Sequence, residues 1–142
     1  MSEFRRNLTI ARRALIGLVT STIEIYKKEV FGLLSGEKHK KHYMAYDAIN
    51  FLSAKRSYGF VNVPALRINR VNYVLSHLTN LRAIGDFHSH PEGPDRLSLL
   101  DKRDVRKSGL TLTVLIIVNK IRRSLHGWKI KDNNIVGTIG NK

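Results

Sequence analysis

GDFHSHPEGPDRLSLLDKRD, residues 85–104, is the stretch on which the reading of the chain turns. The apolar run LRAIGDF, residues 81–87, leads into it and predicts a β-strand. Side chains alternate along a strand, so His88 and His90 face one way and Ser89 the other. PEGPD, residues 91–95, is dense in turn formers and reverses the chain. SLLDKRDVRK, from Ser98 onward, then predicts a helix to about Ser108, with Ser98 as its cap and Asp101 at the third helical position. A helix start facing a strand end across a tight loop brings Asp101 back toward His88 and His90. Two imidazoles and one carboxylate leave a fourth tetrahedral position open, the donor set of a catalytic zinc site.

Ser98 and Asp101 taken alone also satisfy the rule for a capping box, since a carboxylate is favoured near the positive end of a helix. Capping explains neither histidine, and a half-buried strand gains nothing from two imidazoles on one face. A shared metal ion gives both a reason to be neutral and ordered. Asp86, on the same strand face, reads chiefly as a solvent- or substrate-facing aspartate, with orientation of an imidazole as the alternative.

His88-Ser89-His90-Pro91, with seven residues between His90 and Ser98 and two more before Asp101, resembles the signature of the JAMM (MPN+) zinc metalloproteases, the Mov34/MPN/PAD-1 family. That family has an upstream glutamate opening an apolar strand that closes on glycine, here Glu29-Val30-Phe31-Gly32-Leu33-Leu34-Ser35-Gly36. Two positions depart from its pattern: Leu97 stands where proline is frequent, and Asp86 where an acidic residue is rare. The resemblance implies an α/β fold, one MPN-like (cytidine-deaminase-like) domain over residues 1–142 with a curved mixed β-sheet flanked by helices. It implies one zinc ion per chain on His88, His90 and Asp101, and Glu29 as the base that takes a proton from water. Ser98, close to the metal at a helix start, is the hydrogen-bond donor to the oxyanion. The implied activity is hydrolysis of peptide or isopeptide bonds, at the C-terminal glycine of ubiquitin or a ubiquitin-like modifier. Little length remains after Asp101 for the insertions of polyubiquitin-cleaving relatives, so the minimal, stand-alone form is expected. A non-catalytic MPN scaffold, the alternative, normally lacks one of these residues, and all are present.

Outward from the motif, Leu8–Ile10 predicts a strand and residues 11–26 a helix with a core stripe of Ala11, Leu15, Leu18, Thr22 and Ile25, widened by Ile16, Val19 and Ile23. Val30 to Leu34 predicts a central strand ended by Gly36. EKHKKH, residues 37–42, is a solvated loop or hairpin turn, because three lysines oppose a cation at His39 and His42. Tyr43–Leu52 and Tyr58–Val63 predict strands joined by a turn over residues 53–57, and Asn69–Thr79 a helix with Val71, Val74, Leu75 and Leu78 inward. Leu110–Val118 predicts a buried central strand, followed by strands over 125–130 and 135–139, with His126 placed for packing or substrate contact rather than ligation.

The chain has 142 residues and 42% hydrophobic content, enough for a real core. It has no cysteine, which excludes a disulfide scaffold, thiol catalysis and cysteine-ligated zinc. No apolar stretch suffices to cross a bilayer and MSEFRRNLTI lacks a signal-peptide core, so a cytoplasmic protein with no membrane partner is expected. The net charge of +14 is spread over the whole chain. It fits a well-solvated surface and favours an acidic protein substrate; nucleic acid is the less favoured partner, since no recognition motif accompanies the charge.

Overall fold

The computed structural model describes residues 8–51, 55–57, 60–62, 65–99, 101–102, 110–131 and 134–139. Along the described residues run β1 (Leu8–Ile10), α1 (Arg12–Glu24), β2 (Phe31–His39), β3 (His42–Asn50), β4 (Lys55–Ser57), β5 (Phe60–Asn62), α2 (Ala65–Leu78), β6 (Arg82–Ser89), β7 (Leu112–Val118), β8 (Arg123–Lys131) and β9 (Asn134–Ile139). Seven strands form one mixed sheet in the order β1-β3-β2-β6-β7-β8-β9, and β4 pairs with β5 alone. The pairs β1–β3 and β6–β7 are parallel; the other pairs of the large sheet are antiparallel. This is the expected α/β architecture.

One face of the sheet packs on α1 through Leu8, Ile10, Ala14, Leu18, Leu34, Phe87, Val114 and Ile116. Leu33, Phe51, Ile68, Ala83 and Leu110, with Phe31 and Val71, form a second cluster. β7 is buried along its whole length, as an unbroken apolar run requires. Its alternate residues Leu112, Val114, Ile116 and Val118 join the α1 cluster, which leaves Thr113, Leu115 and Ile117 to the other face.

A bulge sets which face the histidine strand offers. Leu34 pairs with Gly85 but Ser35 with Ala83, so β6 carries an extra residue there. Ile84 thus packs with the α1 cluster and Ala83 with the second cluster, while beyond the bulge Phe87 returns to the α1 side. Asp86 and His88 are left on the opposite face by alternation. Gly85 permits the close approach: a Cβ there would meet the side chain and carbonyl oxygen of Leu112.

Several expectations shift. In α1 the buried positions are Ala14, Leu18 and Thr22, flanked by half-buried Leu15, Val19 and Ile25, whereas Ile16 and Ile23 are exposed. The inward stripe is one narrow seam, because only one side of α1 meets the sheet. β2 does not end at Gly36 but continues to His39 and turns through Lys40 and Lys41 into β3, so most of EKHKKH is strand. Lys40 adopts φ 57, the left-handed conformation the tight turn demands. Lys55–Ser57 is a strand rather than a turn. α2 begins four residues before Asn69, and it turns Ile68 inward while Val74 and Leu78 stay exposed. Residues 103–109, where the helix from Ser98 was expected to end, lie outside the described residues.

Candidate metal centre

β6 delivers His88 at its last turn of the ladder, opposite Phe31 of β2 and beside Leu115 of β7. The His90 amide donates to Ile116 O at 3.2 Å, which extends the β7 pairing past the strand end. Both imidazoles are buried, at 6% and 5% exposure. The loop that follows does more than reverse the chain. His90 Nδ1 lies 2.9 Å from Pro94 O; a carbonyl only accepts, so Nδ1 holds the proton and Nε2, on the side of Asp101, is the nitrogen left for a metal ion.

The helix start supplies the third donor, and capping and ligand readings hold together. Ser98 Oγ accepts from the Asp101 amide at 3.0 Å and Asp101 Oδ2 accepts from the Ser98 amide at 2.8 Å, a reciprocal capping box. Lys102 N donates to Ser98 O at 3.0 Å, the first helical hydrogen bond. The same Asp101 Oδ2 lies 3.1 Å from His90 Nε2 and 3.3 Å from His88 Nε2. Ser98 itself is exposed, and its oxygen accepts from Asp101 while its own proton remains to donate.

One donor atom each from His88, His90 and Asp101 lies within 4.8 Å of the other two. The ligand edge of a tetrahedron with zinc bonds of about 2.0–2.1 Å is roughly 3.3 Å, close to the separations from Asp101. His88 Nε2 is buried and makes no hydrogen bond, although Asp101 is near enough to attract it. A buried ring nitrogen left without a partner costs free energy unless something binds it, and a metal ion does so. The residues therefore fit a zinc ion.

Glu29 lies near enough to this group to feel the charges of His88, His90 and Asp101; it is in the two-residue segment just before β2 rather than within the ladder, and is 7% exposed. Burial pushes its carboxyl above the usual range, against the pull of His88 and His90. Burial also acts to raise Asp101, but the two imidazoles beside it outweigh that and hold it well below the ordinary carboxylate range. For His90, burial alone would depress the imidazole; hydrogen bonds to Asp101 and Pro94 overcome it and raise it in the metal-free protein.

Asp86 requires a correction. It does not face solvent: it is 6% exposed, and Thr113 Oγ1 donates to its Oδ1 at 2.5 Å. Its cross-strand neighbours Leu33 and Thr113 enclose it from both sides. His77 is exposed and stacks on Tyr73 at 4.0 Å, and His126 lies 6.4 Å from Trp128. His42 Nε2 is 2.7 Å from Thr9 Oγ1. No second group of metal donors exists among the described residues. The sequence reading missed Ser89, whose Oγ accepts from the Val30 amide at 2.8 Å, and Tyr26, whose hydroxyl donates to Glu92. Ser89 lay inside the motif; nothing in the sequence joins Tyr26 to Glu92.

The chain matches the model for prokaryotic homologs of the JAB domain over residues 11–131. Among solved structures it is similar to the solution structure of protein DSY2949 from Desulfitobacterium hafniense, with a TM-score of 0.67 and 19% identity, covering 92% of this chain and 88% of that one. None of the curated proteins matches it. With the family model spanning most of the chain and the His88-His90-Asp101 cluster assembled within it, the chain belongs to the prokaryotic homologs of the JAB domain, the JAMM/MPN family that its motif resembles.

Proposed function

We propose that this protein is a zinc-dependent hydrolase of peptide or isopeptide bonds, acting at the C-terminal glycine of an acidic ubiquitin-like modifier. The observation that carries the reading is the convergence of His88, His90 and Asp101, whose donor atoms lie within 4.8 Å of one another, beside the buried carboxyl of Glu29. His88, His90 and Asp101 would hold the ion, which supplies positive charge to polarise the scissile carbonyl and the attacking water. Glu29 takes the proton from that water and returns it to the leaving amine; burial raises its carboxyl above the ordinary range, the direction that strengthens a base. Ser98 donates its hydroxyl proton to the oxyanion, in a place where the helix start already favours negative charge. The +14 net charge supports an acidic substrate, gathered by long-range attraction.

The test is hydrolysis of ubiquitin carrying a fluorogenic C-terminal amide, alongside the same amides of acidic ubiquitin-like modifiers. Glu29→Gln is expected to lower kcat by about 10² or more with zinc content unchanged. Ser98→Ala is expected to give a milder loss in kcat, also without loss of zinc. Zinc-loaded protein that cleaves none of these amides would overturn the reading. A Glu29→Gln variant with wild-type turnover would overturn the assignment of the base.

A further inference from the structure

We propose that Ser89, the residue between the two histidines, is a positioning residue that holds Glu29 against the metal ligands. This rests on the hydrolytic reading above and adds to it the device that fixes the base. Glu29 lies on a segment, residues 25–30, that is neither helix nor sheet ladder apart from a bridge at Lys28. Lys27 has φ 26, and the local hydrogen bonds there are turns, Tyr26 N to Ile23 O at 3.1 Å and Lys28 N to Ile25 O at 2.7 Å. No regular hydrogen-bond pattern dictates where Glu29 sits.

Two ties to the metal-bearing segment do so instead. On the C-terminal side, the Val30 amide donates to Ser89 Oγ at 2.8 Å and the Ser89 amide donates to Val30 O at 3.2 Å. Ser89 is fully buried, so water cannot replace its oxygen. The residue after Glu29 is thus gripped twice by the residue flanked by His88 and His90. On the N-terminal side, the Tyr26 hydroxyl donates to Glu92, two residues beyond His90. Alternation turns Ser89 away from the donor atoms, so the serine acts on the site only through the backbone at Val30, just before β2. A general base displaced by about 1 Å loses much of its rate advantage, which gives such a clamp a catalytic consequence.

The experiment combines kinetics on the ubiquitin C-terminal amide with amide hydrogen exchange on the metal-free protein. Ser89→Ala should retain zinc, lower kcat by about tenfold to a hundredfold and leave KM within about twofold, since no group that meets substrate is removed. In the metal-free protein the Val30 amide should exchange faster relative to the β7 amides. Ser89→Thr, which keeps the hydroxyl, should restore both. Introduced on top of Glu29→Gln, Ser89→Ala should cost no further activity. Ser89→Cys keeps the volume with a weaker acceptor and serves if the alanine variant does not fold, and Tyr26→Phe cuts the other tie at the surface with the same kcat-only signature. Full turnover in variants whose Val30 exchange has accelerated would overturn the positioning role alone. A loss that persists undiminished without Glu29 would overturn it as well. Absence of hydrolysis by the wild type, with Val30 exchange still responding to Ser89, would instead remove the hydrolytic reading and the positioning role with it.

Discussion

Asp101 carries two loads on one oxygen. Its Oδ2 accepts the Ser98 amide that starts a helix and lies within 3.3 Å of both imidazole nitrogens. Cap and ligand geometry are compatible because the third helical position places a carboxylate over the helix entrance, where the dipole favours it. In the metal-free protein this has a pH signature. Asp101 is held below the ordinary carboxylate range, so its contribution is present above the unfolded value and is lost as pH falls through the folded one. His90 is raised, so its contribution is full below the unfolded value near 6.5 and is lost as pH rises through the folded one. Zinc has to displace the His90 proton. Calorimetry at pH 6.5 in buffers of differing ionisation heat is expected to show proton release on zinc binding, and affinity to fall at least about tenfold per pH unit further down. Asp101→Ala is expected to lose the metal. Stoichiometric zinc in that variant, or uptake without proton release, would contradict the ligand assignment.

At the scale of elements, the β6 bulge decides whether the histidines reach the site at all. Without the extra residue between Ala83 and Gly85, strict alternation would carry Phe87 and His88 to exchanged faces relative to Ala83. Gly85 is the position that admits the tight fit against β7. Gly85→Ala sets a Cβ against the Leu112 side chain and carbonyl oxygen, with backbone on one side and a fully buried core residue on the other. Overpacking of this kind costs about 1–3 kcal/mol. Chemical denaturation should show that loss, and zinc affinity should fall with it because β6 must shift to relieve the contact. A variant as stable as the wild type would mean that β7 gives way easily.

At the scale of the whole molecule, the +14 charge concerns encounter rather than fold. Exposed lysines at residues 38, 40 and 41 crown the β2–β3 hairpin, at the end of β2 remote from His88, so the positive field is not confined to the metal centre. Attraction of that reach is screened within about 8 Å at physiological ionic strength. For an acidic modifier, kcat/KM is expected to fall as salt rises from 50 to 500 mM, roughly tenfold or more, while kcat at saturation stays nearly constant. Equal kcat/KM across that range would remove charge steering from the proposed function. No helix among the described residues is long and apolar enough to cross a membrane.

What the sequence determined by itself was local or short-range. The period-two run into His88 and His90, the cap at Ser98 with Asp101 three residues on, and the unbroken apolar run of β7 each follow from propensity and burial within a few residues. Those signals were enough to pick out His88, His90 and Asp101 as candidate metal ligands; the mixed α/β sheet was implied by the resemblance that they carry. The narrower seam of α1, the earlier start of α2 and the continuation of β2 past Gly36 depended on which neighbours cover each face, and periodicity cannot report that. Tertiary structure alone decided that Glu29 lies near the histidines, through pairing of Phe31 with His88, remote in sequence. It alone turned Asp86 from an apparent surface charge into a buried acceptor for Thr113, since a strand pattern gives the face of a carboxylate but not what stands over it. And it alone joined Val30 to Ser89 and Tyr26 to Glu92, contacts whose energy comes from partners remote in sequence and close only once the sheet has formed.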